Sequence, residues 1–326
     1  MKNILLKCIK QDGKILLKGF GKKDVSKLIK KQIINKLGKK QTVYVRGKKE
    51  KPKSHRQKKL ENKIRAYKGM LFEAVLTNEL TGRDAKEFIF EHDRLDKMFS
   101  KIPEDQQKSL LKDIADSKEA INQYYDGKKI ESAEFIGEDE KTYGLGHKAD
   151  ILVKATDKKL EAFENTTKQK NLAISVKTIH GKEVSSTNIK LSSIGSNVFR
   201  DLIGNVEKWE DLSKDKIKHN LAKELNHILG DSRYPDMVMF LKDMKRNKFL
   251  FLKEKDLSKA LSEKIAGSRV EINIDKEKAV IRNMRFFDKD TGKKILKLEL
   301  PHKRFDYYVT TPYRTILNLA KEIKLK

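Results

Sequence analysis

The 326-residue chain has a single cysteine, Cys8, one tryptophan and five prolines. One cysteine excludes an internal disulfide and any zinc site built from cysteines. Long apolar runs are missing too: no stretch approaches the roughly 20 consecutive apolar residues that span a bilayer. The opening residues, Met-Lys-Asn-Ile-Leu-Leu-Lys-Cys, form too short an apolar run for a secretory signal. No membrane partner is therefore expected, and the chain reads as a soluble, cytoplasmic protein. The seven histidines do not fall at zinc-ligand spacing, which disfavours a zinc enzyme. Gly144-Leu-Gly146 is not followed by the Gly-Lys-Ser/Thr of a phosphate-binding NTP loop, so that class is excluded.

What the chain has in excess is positive charge. Lys and Arg number 74 against 47 Asp and Glu, a net charge of +27. A field of that size calls for a polyanionic partner, most simply nucleic acid, although acidic membrane surfaces also attract basic proteins. The charge is concentrated: residues 1–68 hold 24 Lys and Arg but only four acids, Asp12, Asp24, Glu50 and Glu61.

Within that segment, Ile4 to Ile9 and Lys14 to Phe20 read as two short strands around the turn signal Gln11-Asp12-Gly13. Val25, Leu28, Ile29, Ile33 and Leu37 then lie near helical spacing and predict a helix that stops at Gly38. Residues 48–59 contain no apolar side chain except Pro52 and read as a flexible basic linker. The resulting division is a basic nucleic-acid-binding segment, residues 1–59, followed by a larger domain, 60–326.

A helix expected from about Leu60 is polar and basic up to Lys68, then apolar around its whole circumference from Gly69 to Leu76, except at Glu73. A helix apolar all round is buried. Glu73 then needs a cation, a metal or a proton, unless it lies at the boundary and reaches solvent or a nearby lysine. Two amphipathic sets follow, Phe88 to Phe99 and Leu110 to Ile121, separated by Pro103. Further on, Glu131 to Ile136 predicts a strand, and Ser185 to Asn197 is notable only for its Ser and Asn content. Helices are expected at Val198 to Trp209 and Asp215 to Leu229, with Trp209 as a core or interface anchor. The runs Met237 to Leu241, Phe249 to Leu252, Val270 to Ile274, Ala279 to Phe287 and Ile295 to Leu300 predict strands, and a helix is expected after Pro312.

The stretch from Tyr143 to His180 organises the rest. Asp150 stands at the front of the apolar run Ile151-Leu152-Val153. In the strand that follows, period-two alternation puts Ala173, Ser175, Lys177 and Ile179 on one face and Leu172, Ile174, Val176 and Thr178 on the other. An ammonium in a strand core is costly unless paired. The plainest reading of Asp150 and Lys177 is a salt bridge between neighbouring strands.

With Glu73 on the preceding helix, the set Asp150, Ser175-x-Lys177 resembles the restriction-endonuclease-like, or PD-(D/E)xK, nuclease superfamily. The resemblance covers roughly residues 60–180. It implies a mixed α/β (α+β) fold, with a central mixed sheet flanked by helices and here a basic N-terminal extension. It also implies a Mg²⁺-dependent endonuclease, with Mn²⁺ as substitute, hydrolysing phosphodiester bonds of DNA, RNA not being excluded. The source class would be a restriction-like or phage or mobile-element nuclease. Under the resemblance Asp150 and Glu73 hold the metal and Lys177 orients or activates the attacking water. Ser175 stands where the family usually has Glu or Asp, and serine is a poor ligand for a hard cation beside a carboxylate. The missing carboxylate is then supplied by Glu73 first, by Glu183 second, or by an acid between Glu161 and Glu164, while the Ser175 hydroxyl holds a metal-bound water. A twofold homodimer is the simplest arrangement for cutting both strands of a duplex. The competing reading is a non-catalytic nucleic-acid-binding protein on a degenerate nuclease fold, with Ser175 as the trace of lost activity.

Overall fold

The computed structural model describes residues 54–126, 128–136, 149–157, 170–181, 183–230, 234–275, 277, 280–302 and 305–325, and before them the strand segments 8–11, 14–17, 28–34 and 40–46. The chain divides into two compact units, Met1–Glu61 and Asn62–Lys326. In the first, β1 (Cys8–Gln11) pairs antiparallel with β2 (Lys14–Leu17), as the Asp-Gly turn signal predicts. Within the span of the helix expected from Val25 to Leu37, the described residues, 28–34, are instead a strand. β3 (Leu28–Ile34) pairs over its whole length with β4 (Lys40–Arg46). Spaced Leu and Ile fit either period over so short a run; the Thr-Val-Tyr-Val of β4, rich in β-branched and aromatic residues, supplies the partner that decides it. Gly38 and residues 48–53 of the expected linker lie outside the described residues; 54–59 are not a linker but the cap and first residues of a helix.

α1 (His55–Leu80) starts five residues earlier than expected. Ser54 and Gln57 form a reciprocal capping box: the Gln57 N–H donates to Ser54 Oγ at 3.2 Å and the Ser54 N–H to Gln57 Oε1 at 2.9 Å. Further along, Leu71, Phe72, Val75 and Leu76 are fully buried, as the apolar run requires. α2 (Ala85–Glu91), α3 (Asp93–Phe99) and α4 (Glu104–Tyr124) follow. Asp84 caps α2 by accepting from the Lys86 and Glu87 N–H groups.

The second unit is mixed α/β, with a central mixed sheet. Its strands are β5 (Lys128–Phe135), β6 (Ile151–Asp157), β7 (Lys170–Ile179), β9 (Val238–Asp243), β10 (Lys248–Lys253) and β15 (Lys321–Ile323), ordered β15-β10-β9-β7-β6-β5. All neighbours are antiparallel except β7 and β9, which run parallel. A second sheet is ordered β11-β12-β13-β14-β8, from β8 (Asn188–Ile194), β11 (Arg269–Asp275), β12 (Val280–Phe287), β13 (Lys294–Glu299) and β14 (Tyr307–Pro312). α5 (Ser196–Ile203), α6 (Lys214–Leu229), α7 (Glu254–Ala266) and α8 (Tyr313–Leu317) complete the unit.

Strand alternation divides the core. Leu172, Ile174, Val176, Phe240 and Phe251 pack with α1 and α4. Ile179, Met239 and Leu241 face the other way, into the cluster shared with α6, α7 and the second sheet. Two more expectations change. The helix after β8 stops at Ile203 because Gly204 takes a left-handed φ of 83°, leaving Trp209 in a short 3₁₀ turn. The terminal helix is only Tyr313–Leu317, after which β15 pairs with the edge of β10. No described helix is long and apolar enough to cross a membrane.

Phe240 is fully buried on the central parallel strand, with its ring centroid 5.0 Å from that of Phe251. Phe240→Ala is expected to cost about 3–5 kcal/mol of unfolding free energy in a urea titration; a loss below about 1 kcal/mol would contradict its place in the core.

Candidate active site

β7 changes partners at Ile174. Up to that residue it is paired with β6, whose last ladder pair is Ile151 with Ile174; from there to Ile179 it runs along β9. Beyond Ile174 the β6 side of β7 is open, and the opening is a cleft of ≈ 840 Å³. Its lining brings together Glu73 from α1, Asp150 from the entry to β6 and Lys177 and His180 from the end of β7, with β8 as a further wall. Gly181 is there because the chain passes so close to Thr187 that a Cβ would overlap its Oγ1.

Asp150 sits one step past the last β6–β7 pair, opposite Ser175, and is only 4% exposed. Its Oδ2 accepts from the Val176 N–H at 2.7 Å, from Lys177 Nζ at 3.1 Å and from Ser175 Oγ at 3.4 Å. The backbone is fixed as well: the Asp150 N–H donates to the Ile174 carbonyl and the Ile136 N–H donates to the Asp150 carbonyl. Ser175 is buried, and Lys177 keeps about a quarter of its side chain exposed (26%) toward the cleft.

Burial works against the charge on Lys177. The fields of Asp150, then Glu73, the hydrogen bond to Asp150 and the field of Glu254 outweigh it and hold the lysine above its ordinary pKa. Lys177 is therefore an ammonium at neutral pH. Glu254 was not legible beforehand, since Lys253-Glu254-Lys255 reads as a solvated charge run; at the first turn of α7 it is in fact buried.

His180 is half-buried at the end of the cleft. Burial chiefly, then the cations Lys68 and Arg65 of α1, push its pKa below the ordinary histidine value, against the weaker pull of Asp113 and Asp243. Asp243 anchors this end. Fully buried, it accepts from Arg246 Nη1 and from the Tyr313 hydroxyl, both at 2.8 Å, and from the Lys245 and Arg246 N–H groups. Burial opposes its charge, but the hydrogen bonds from Arg246 and Tyr313 prevail and keep its pKa low. Tyr313 in turn donates its N–H to the Thr187 carbonyl, tying the start of β8 to the end of β9.

The other expected residues fall elsewhere. Glu183 is exposed on the turn after β7 and is not among the residues lining the cleft. The acids from Glu161 to Glu164 lie outside the described residues. Among the described residues no group of three or more His, Cys, Asp or Glu converges at metal-binding distance. Two carboxylates, Asp150 and Glu73, do share the cleft, and both are the hard oxygen donors that suit Mg²⁺. The chain matches no protein-family model, no curated protein and no solved structure.

The cation cluster makes a pH prediction. An NMR titration of the His180 ring is expected to give a pKa below about 6.5, and Lys68→Met is expected to raise it only in part, because burial remains. Its contribution to stability is then present above about pH 6.5 and lost as pH falls through the folded value. A His180 that titrates at or above the ordinary value would contradict this arrangement.

Proposed function

We propose that the chain is a Mg²⁺-dependent nuclease on a restriction-endonuclease-like core, hydrolysing phosphodiester bonds of DNA. The observation that carries this reading is the convergence of Asp150, Lys177 and Glu73 in an open cleft at the point where β6 ends. A purely structural salt bridge explains Asp150 with Lys177; it does not explain a second carboxylate from α1 facing the same opening.

Asp150 and Glu73 are the residues that would hold Mg²⁺, with most of its shell left to water. When bound there, the cation would make water a better nucleophile at neutral pH and would offset charge on the phosphate oxygens. Lys177, kept protonated by Asp150, acts as a fixed cation toward the charge that develops on the reacting phosphate, rather than as a base. Asp150 aims that ammonium, and the Val176 N–H and Ser175 hydroxyl fix the carboxylate in turn. The 24 Lys and Arg of the first 68 residues hold the substrate by sequence-independent phosphate contacts. Cutting both strands of a duplex calls for a twofold dimer.

With Mg²⁺ or Mn²⁺, cleavage of plasmid DNA is expected, and Asp150→Ala and Lys177→Ala are each expected to lower its rate by about 100-fold or more. Both variants are expected to retain DNA binding in a gel-shift assay. Cleavage that survives both changes rejects the site.

One observation favours a second reading, a binding protein without catalysis. Ser175 is buried and donates to Asp150, so the site is complete as a hydrogen-bonded cluster with one carboxylate where the resemblance implies two. Absence of cleavage on duplex, single-stranded and RNA substrates, with binding intact, supports it. Ser175→Asp separates the cases without an activity assay. Two buried carboxylates on adjacent strands repel, so this variant is expected to melt below wild type and to regain more stability than wild type on adding Mg²⁺. Equal metal responses would reject metal binding between positions 150 and 175.

A further inference from the structure

A second cavity, ≈ 350 Å³, opens among α7, the β12–β13 turn and the end of β14. Lys264, Lys293, Lys294 and Arg314 line it, with Asp288 as the one acid. Asp288 is already engaged, its Oδ1 accepting from the Thr291 N–H and hydroxyl, both at 2.8 Å. None of the four cations forms an ion pair among the described residues. Elsewhere on the surface Lys112, Lys118, Lys248, Lys255 and Arg282 each meet a carboxylate; here only the fields of Asp288 on Lys264 and of Glu299 on Lys294 oppose the gathered charge. Lys294 is partly buried, and burial, then the like charges of Lys297 and Arg285, hold its pKa below the ordinary lysine value. Such a group gains from an anion that relieves the crowding.

The cavity shares a wall with the cleft. Ser185 and Pro312 line the basic cavity; Thr187 and Asn188 line the cleft. Asn188 is the ladder partner of Pro312, and the Thr187 carbonyl accepts from the Tyr313 N–H at 2.9 Å. Two residues of extended chain, about 7 Å at most, separate Ser185 from Thr187. A nucleic-acid strand advances about 3.4 Å per phosphate along a B-form axis, so a few nucleotides bridge the two openings.

Resting on the nucleic-acid reading of the cleft, we propose that Lys264, Lys293, Lys294 and Arg314 form a second phosphate-binding site, which takes the same strand a few nucleotides from the reacting bond. The cations fix the strand's path across the corner made by β8 and β14. Ile295 and Leu319 give the site apolar contacts beside the phosphates.

The test measures single-stranded oligonucleotide binding by anisotropy on the Asp150→Ala background, without metal, so that cleavage plays no part. Lys294→Gln/Arg314→Gln is compared with the charge-matched pair Lys86→Gln/Lys97→Gln, exposed on α2 and α3. For a strand of about 20 nucleotides, the salt slope of the affinity is expected to fall by about 1.4 in the first pair, at about 0.7 per phosphate contact. It is expected to stay unchanged in the second pair. If Lys294→Gln impairs folding by circular dichroism, Lys293→Gln/Arg314→Gln, both exposed, carries the same expectation. Equal slopes in the two pairs, or no binding at low salt, overturn the site. Cleavage by wild type with equal slopes leaves the nuclease standing and rejects the site; a reduced slope in a chain that cleaves nothing does the reverse.

Discussion

Everything at the candidate site depends on one buried carboxylate. Asp150 has left the ladder of β6 but remains under β7, where its Oδ2 takes a backbone N–H, an ammonium and a hydroxyl. A buried carboxylate without such donors would be forced to take up a proton or to pull water in. The arrangement exists because β7 is long enough to serve two neighbours, β6 over its first half and β9 over its second. At the exchange point an N–H that would otherwise continue the β6 ladder, that of Val176, is free to bond a side chain. Ladder geometry thus creates both the opening and the donor that fills it.

The far end of the cleft is held by the same kind of logic. Asp243 ends β9 and is fully buried, yet it keeps its charge because Arg246 and the Tyr313 hydroxyl turn toward it. Tyr313 follows directly on β14, so this contact joins the central sheet to the second one. The neighbouring Lys242, also fully buried, reaches Asp113 of α4 at 3.1 Å and lies over the Phe249 ring at 3.9 Å. Removing one member of such a buried pair is far more costly than the pair's net worth, which makes these residues sensitive reporters of the cleft's shape.

The parts of the fold that the sequence made legible were those where a single period was possible. Leu172 to Ile179 alternates cleanly, so the shared face of Ser175 and Lys177 followed from the residues alone. Elsewhere a partner or a cap decided. Leu28 to Ile34 fits a helix until β4 is set beside it. Ser54 and Gln57 sat unnoticed in a lysine-rich stretch, though their spacing is that of a capping box. β8 was hidden because its exposed positions are Asn, Lys and Ser, which read as loop, while only Ile189, Leu191 and Ile194 face the core. Glu254 was hidden by its lysine neighbours, and nothing local distinguishes a buried acid from a solvated one. The contact of Asp150 with Lys177 was legible, but both a salt bridge and a nuclease site predict it. Glu73 is the residue that discriminates, and its position depended on how α1 crosses the sheet.

Charge carries different information in the two parts of the chain. From Asn62 on there are 53 Lys and Arg against 43 acids, a thinner excess than the 21 against four of the first 61 residues. Several of the second unit's surface cations, Lys108, Lys248 and Lys255 among them, have a carboxylate within reach, and such exposed pairs add little stability. Their effect is instead to cancel the field locally. Two groups of cations stand beside the openings, Lys68 and Arg65 next to His180 at the end of the cleft and the four cations of the neighbouring cavity. At each of those places several like charges lie within a Debye length of one another, so their attraction for an anion adds rather than being screened apart.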